Sequence, residues 1–295
     1  MSETAETARI AFIGFGEAGR AFAGGLALGG TGRATAYDLK SRDPATAAAM
    51  AACQAEAGVA GHDSPAGALS GATAVFCLVT ADQALAAAEA AAPHLPPGAF
   101  WFDGNSCAPG TKRAAADLVA RHGGRYVDMA IMAPVHPRRH LTPVLLAGPD
   151  AEPAARFLTA LGMAPKIAGP TVGEASAIKM IRSVMVKGVE ALTAECLLAA
   201  RRAGVEEAVL ASLQASDPGS DWAKRAAYNL ERMMVHGTRR AAEMREVAAT
   251  LRELGLPDRM ASATVDWQAE IGALGLSGGP EDAADRADRI LDARK

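Results

Sequence analysis

Apolar runs of three to seven residues alternate with alanine-rich amphipathic stretches through the first half of the chain. The alternation stops near residue 169. The runs at 9–13, 34–37, 74–79, 100–102, 125–131 and 144–148 read as strands. The run Ala74-Val75-Phe76-Cys77-Leu78-Val79 contains no charged or amide residue, the mark of a strand covered on both faces. Helical stretches separate the runs, and β and α in turn predict an α/β fold with a doubly wound parallel sheet. After Gly169-Pro170 the strand signals vanish. Helices are expected at about 174–203, 206–214, 221–235, 238–254 and 258–272, with Gly204, Gly219, Gly255 and Gly275–Gly279 as punctuation. The tail 281–295 reads as a short charged amphipathic helix on the surface. Two domains follow from this pattern: a sheet-containing one at 1–168 and an all-helical one at 169–295.

The first strand runs directly into Gly14-Phe15-Gly16-Glu17-Ala18-Gly19, a G-x-G-x-x-G turn that opens a helix. Each glycine has a distinct role: Gly14 permits the tight turn, Gly16 lets a pyrophosphate approach the backbone, and Gly19 lets helix and strand pack closely. The helix start offers N–H groups and a partial positive charge to phosphate. Asp38 closes the second strand, placed to accept hydrogen bonds from a ribose 2′-OH and to repel a 2′-phosphate. This points to a Rossmann-type dinucleotide site for NAD. Lys40 and Arg42 lie just beyond and keep NADP possible. In such a sheet ligands bind past the carboxyl ends of the strands. That places Leu78, Val79, Thr80 and Gln83, and the run Asp103-Gly104-Asn105-Ser106, along the cofactor crevice.

Composition narrows the partners. Of 295 residues, 50% are hydrophobic, enough for large cores, and the formal net charge is −3, so there is no basic footprint for nucleic acid. The polar, acidic leader is unlike a signal peptide, and no apolar run reaches the roughly 18–20 residues of a membrane span. Cys53, Cys77, Cys107 and Cys196 have no paired spacing, and no metal-ligand spacing occurs. A cytoplasmic protein with reduced thiols and no metal is expected.

On the long helix after Gly173, Lys179, Ser183 and Lys187 recur every four residues and share one face. Such a stripe fits either a solvated edge or general acid/base work. A lysine in an apolar cleft has a lowered pKa and can take the alcohol proton as hydride leaves carbon. Ser183 would hydrogen-bond that lysine or the substrate hydroxyl; Lys187 reads as half of a structural ion pair. Farther on, Arg232, His236 and Arg240 repeat every four residues, with Glu243 three later. This too fits a solvated face, or else His236 and Arg240 reaching a substrate.

Three stretches together resemble the β-hydroxyacid dehydrogenase superfamily, which includes the 6-phosphogluconate and 3-hydroxyisobutyrate dehydrogenases. They are Gly14–Gly19, the Asp103-Gly104-Asn105-Ser106 run, similar to D-G-G-N-S, and Gly169…Gly173…Lys179, similar to G-x-x-G-x-G-x-x-x-K-x-x-x-N. The resemblance implies an NAD(P)-dependent dehydrogenase acting on a small hydroxy acid or sugar-acid-like metabolite, with Lys179 as catalytic acid/base. It implies cofactor and substrate contacts for Asn105, a substrate role for Ser106, and a homodimer with interlocked helical domains. The pattern around Met233, His236, Arg239, Arg240 and Glu243 is similar to a bacterial subgroup of these proteins. Two departures stand out. Ser183 replaces the family's asparagine. The family's substrate loop, roughly D-A-P-V-S-G-G, corresponds to the run Asp128-Met129-Ala130-Ile131-Met132-Ala133-Pro134-Val135-His136-Pro137. Met132 there stands for a carboxylate-binding serine, and Pro134 has no N–H. Met132, Ala133 and His136 are thus the expected substrate neighbours, with Arg138, Arg139 and His140 as further anion partners. The rivals are an imine reductase of the same superfamily and a non-catalytic NAD-binding sensor.

Overall fold

The computed structural model describes residues 7–294. The chain divides into two compact units, Met1–Lys179 and Met180–Lys295.

The first unit is built on β1 (Ile10–Ile13), β2 (Ala34–Tyr37), β3 (Ala60–His62), β4 (Ala74–Cys77), β5 (Phe100–Asp103), β6 (Arg125–Ile131), β7 (Val144–Ala147) and β8 (Pro165–Gly169). These form one sheet in the order β3-β2-β1-β4-β5-β6-β7-β8. Its helices are α1 (Glu17–Gly25), α2 (Ala47–Glu56), α3 (Pro65–Leu69), α4 (Ala84–Ala91), α5 (Pro109–Arg121) and α6 (Ala151–Ala160). Strands β1 to β6 are parallel, and the chain order reverses between β1 and β4, as in a doubly wound sheet. The sheet is not parallel throughout. β7 pairs antiparallel with β6, and β8 runs with β7.

Period-two alternation and register fix the two cores. Phe12, Phe76 and Phe102 are register partners on one face, with ring centroids 5.7 and 5.2 Å apart. Ala11, Val75, Trp101 and Tyr126 form the matching row on the other face. Register also aligns His62, Tyr37, Ile13, Cys77 and Asp103, so β3, β2, β1, β4 and β5 end at one level, while β6 runs on past Asp128, the register partner of Asp103.

Helix α7 (Glu174–Ala203) begins in the first unit and continues into the second. The second unit adds α8 (Glu206–Ser216), α9 (Trp222–Glu253), α10 (Arg259–Ala273) and α11 (Ala283–Ala293). Leu197, Leu230, Met233, Ile271 and Ile290 are buried together at its centre. The two helices expected at 221–235 and 238–254 are one continuous helix of 32 residues. Gly237, between the two expected spans, marks a crossing. A Cβ there would lie 2.4 Å from the Gln268 carbonyl oxygen and 2.7 Å from the Gly272 Cα, so α9 and α10 meet backbone to backbone. Among the described residues no helix is long and apolar enough to cross a membrane. None of the four cysteines lies in a disulfide.

Candidate active site

The loop after β1 is shaped by its glycines. Gly14 has φ +85°, and a Cβ on it would sit 2.6 Å from the Leu78 carbonyl oxygen, so neither the conformation nor the space admits a side chain. Gly19 packs beneath the turn, where a Cβ would come within 3.0 Å of the Gly14 oxygen. Gly16 differs: a Cβ there would meet nothing within 4 Å. It is the N-cap residue of α1, and no side chain caps that helix. Phe15 is buried behind the loop, while Glu17 is exposed and Ala18 half-buried. An open, uncapped helix start beside a glycine with empty space over it is a cradle for an anion, and it fits the pyrophosphate of a dinucleotide.

Asp38 follows β2. Its Oδ2 accepts the Phe15 N–H at 2.8 Å and its Oδ1 accepts the Lys40 N–H at 3.0 Å. A carboxylate accepts about four hydrogen bonds, so capacity remains for ribose hydroxyls. The same carboxylate ties the glycine loop to the end of β2.

At the carboxyl ends of β4 and β5 the decisive side chain is Asn105. Its Oδ1 accepts the Val79 N–H at 2.7 Å, its Nδ2 donates to the Cys77 thiol at 3.3 Å, and the residue is 3% exposed. The amide expected to touch cofactor is therefore engaged within the protein, stitching two loops. Burial, with the Asp103 charge adding to it, pushes the Cys77 thiol well above its ordinary pKa, so it stays protonated. Thr80 is exposed, and Gln83 donates to Asp82 at 3.3 Å.

One residue beyond Asn105, the Ser106 hydroxyl receives a hydrogen bond from Lys179 Nζ at 2.7 Å, both side chains being half-buried. Lys179 and Ser106 are thus brought together across 73 residues of sequence. Beneath them lies a buried network. Lys112, on α5, donates to the Asp103 backbone oxygen at 2.6 Å and to its Oδ1 at 2.9 Å. Its Nζ is 3.6 Å from Asp128 Oδ1. The Tyr126 hydroxyl donates to Asp103 Oδ2 at 2.7 Å, and the Asn105 N–H to Asp103 Oδ1 at 3.0 Å. Asp128 Oδ2 accepts the Gly173 and Ser176 N–H groups at 3.1 and 3.0 Å, capping α7 from outside the helix. Burial alone would push the Lys112 pKa down; Asp103 and Asp128 outweigh it and hold the ammonium above its ordinary range. Burial and the same two carboxylates push the Tyr126 phenol up. Sequence reasoning passed over Lys112 and Tyr126. The available signal was a lysine in phase with Ala115 and Val119 on the buried side of α5.

Met132 donates its N–H to the Pro143 oxygen at 2.9 Å, so this amide continues the β6–β7 ladder. Its side chain packs against Ala130, Ala147 and Ala175. Ala133 and His136 are exposed on the loop that follows. His140 lies against the end of α1, where a Cβ on Gly25 would come within 2.8 Å of its backbone nitrogen.

The other expected site residues belong to the helical unit. Ser183 is buried. His236 is half-buried; burial, then the Arg232 and Arg239 charges, lower its pKa. The buried Arg240 guanidinium donates to both oxygens of Glu190, through Nε at 2.9 Å, and Gln268 donates to the same carboxylate at 2.7 Å. Lys187 pairs at 2.7 Å with Glu243, the structural ion pair expected of it. Burial pushes the Lys187 pKa down against the pull of Glu243. A cavity of about 580 Å³ in this unit, lined by Arg201, Glu206, Lys224 and Asp282 among others, shares no residue with the expected set.

Parallel strands with a reversal of order, a glycine cradle at a helix start and an acid closing β2 define a dinucleotide-binding protein. The chain belongs to the family of the NAD binding domain of 6-phosphogluconate dehydrogenase, whose model matches residues 9–166. It is thereby a member of a superfamily of NAD(P)-dependent dehydrogenases with an NAD(P)-binding domain. Residues 200–271 match a domain of unknown function, DUF1932. A conserved hypothetical protein from Sinorhizobium meliloti 1021 is 43% identical over 97% of each chain, with a TM-score of 0.73. The conserved protein MTH1747, of unknown function and described as structurally similar to 3-hydroxyacid dehydrogenases, is 32% identical over 97% of this chain and 98% of its own, with a TM-score of 0.65. Mycobacterium tuberculosis 3-hydroxyisobutyrate dehydrogenase, solved with L-serine, is 17% identical over 97% and 99%, with a TM-score of 0.70, a likeness of fold. No curated protein matches the chain in sequence.

Proposed function

We propose that the chain is an NAD(P)-dependent oxidoreductase that transfers a hydride between nicotinamide and the carbinol carbon of a small hydroxy acid or sugar-acid-like metabolite. The observation that carries this reading is the Lys179–Ser106 hydrogen bond, which fixes an amine beside the carboxyl ends of the strands. Gly14, Phe15, Gly16, Glu17, Ala18 and Gly19 would hold the pyrophosphate, and Asp38 the adenine ribose. A bound nicotinamide supplies or takes up the hydride. Lys179 takes the hydroxyl proton in oxidation and returns it in reduction, and Ser106 fixes the direction of the amine. The carboxylate of Asp38 favours NAD, because a 2′-phosphate would set like charges together.

A cofactor-reduction screen over hydroxy acids and sugar acids, with both nicotinamides, finds the substrate. On that substrate Lys179→Ala is expected to lower kcat by about 10²–10⁴-fold while NADH still binds by fluorescence titration. Full turnover by the variant would remove Lys179 from the chemistry. We propose a homodimer as the working assembly. Its support is the exposed apolar row Ile181, Met185 and Leu192, spaced four and seven residues apart on α7. Met185→Glu should then sediment as a monomer where the parent protein sediments as a dimer.

A further inference from the structure

The buried network below Ser106 has more order than holding β5 to β6 requires. Lys112 is fully buried, and its ammonium has three oxygen atoms around it, two from Asp103 and one from Asp128. Both carboxylates are buried as well, and their strands are register partners at these two residues. Two carboxylates this close, out of water, do not both stay ionised without a cation. Asp128 Oδ1 has no hydrogen-bond donor, so Lys112 is the charge set against it.

Each carboxylate also holds one half of the reactive pair. Asp103 accepts the Asn105 N–H and so shapes the loop that ends in Ser106. Asp128 accepts the Gly173 and Ser176 N–H groups and so fixes the start of the helix that carries Lys179 one turn later. The polar atoms between the Ser106 loop and the start of α7 thus form one chain with Lys112 at its middle.

We infer that Lys112 is a positioning residue: by bridging Asp103 and Asp128 it sets the geometry of the Ser106–Lys179 pair. This rests on the reading of Lys179 as the reacting amine. Without the Lys112 charge one of the two aspartates takes up a proton. A protonated Asp128 is a poorer acceptor for the α7 amides, and a protonated Asp103 a poorer one for Asn105. In either case the Ser106 loop and the start of α7 lose their common anchor, and a displacement of about 1 Å can cost about 10²-fold in rate.

The test uses the full chain with Lys112→Met, close in volume and uncharged. The Lys179 amine is probed by reductive methylation with ¹³C-formaldehyde, its NMR signal assigned from Lys179→Arg. This readout needs neither turnover nor a known substrate. The methylation rate at pH 8 is expected to change by about threefold or more, as a half-unit change in pKa produces. On the substrate found by the screen, kcat should fall about 10²-fold with KM within about twofold. A lowered unfolding midpoint with unchanged methylation and unchanged kcat would make Lys112 structural only and overturn the inference. If Lys112→Met does not fold, the pair Lys112→Met with Asp128→Asn removes one cation and one anion together and leaves an acceptor for the α7 amides. It should still show altered Lys179 methylation, and an unaltered rate overturns the inference. Full turnover by Lys179→Ala would end the acid/base reading instead, while the methylation result would still decide whether Lys112 positions that amine.

Discussion

A methyl group added at Gly16 would touch nothing, whereas one added at Gly14 would strike the Leu78 carbonyl. The two glycines therefore separate folding from binding. Gly16→Ala, at φ −81° and an extended ψ, is expected to leave the melting temperature within about 2 °C of the parent and to weaken NADH by about tenfold or more, read by fluorescence titration. Gly14→Ala must adopt φ +85° against a carbonyl, and a clear fall in melting temperature is expected. Asp38→Ala removes the acceptor of the Phe15 N–H together with the charge that disfavours a 2′-phosphate. NAD should weaken relative to NADP, and an unchanged ratio of the two affinities would count against the ribose role. All three residues were legible in the sequence, because their chemistry is local: a turn, a helix start and a strand end within 25 residues. Asn105 was legible as a position, but its partners within the protein were not. Its amide is engaged by Val79 and Cys77, partners 26 and 28 residues away that spacing alone does not reveal.

Strands and helices were legible where the pattern is strong. β4, buried at all four positions, is a continuous apolar run, whereas β3 is Ala-Gly-His, exposed or half-buried throughout, and gives no hydrophobic signal. β8 begins at a proline and contains a lysine, both tolerated because it lies at the edge of the sheet. The antiparallel turn of β7 escaped because apolar runs carry no direction. The gap expected between 235 and 238 lies inside one helix, and Gly237 there serves a helix crossing. Gly237→Ala should cost about 1–3 kcal/mol in urea unfolding of the helical unit, since its methyl group must displace the α10 backbone. His236, one residue earlier, gives α9 a dependence on acid. Its pKa is lowered in the folded unit, so the unfolded chain takes up the proton first as pH falls through about 6.5. Stability should therefore drop on acidification below that point, and His236→Gln should remove this part of the drop in urea midpoints measured from pH 7.5 to 5.5.

The two units differ in how far sequence alone explains them. The first unit contains the glycine cradle, Asp38 and the Lys179–Ser106 pair; motifs marked each stretch, but the hydrogen bond between Lys179 and Ser106, 73 residues apart, was not foreseen. Residues 180–295 gave helices readily but not their internal chemistry, because Lys187, Glu190, Arg240, Glu243 and Gln268 come from α7, α9 and α10 and meet only after packing. A ligand that binds the first unit must stabilise it. NADH at about 100 times its Kd is worth about 2.7 kcal/mol, so the transition that melts residues 7–179 should move up in a thermal scan. A scan unmoved by saturating NAD, NADH, NADP and NADPH would contradict the dinucleotide reading.

The ammonium held between Asp103 and Asp128 also constrains how this sequence can drift. A chain that loses the base at 112 while retaining both acids carries a burden no single later change at the surface relieves. Descendants without a cation there should therefore have given up an acid at 103 or 128 as well, and the three positions should be inherited, or abandoned, together.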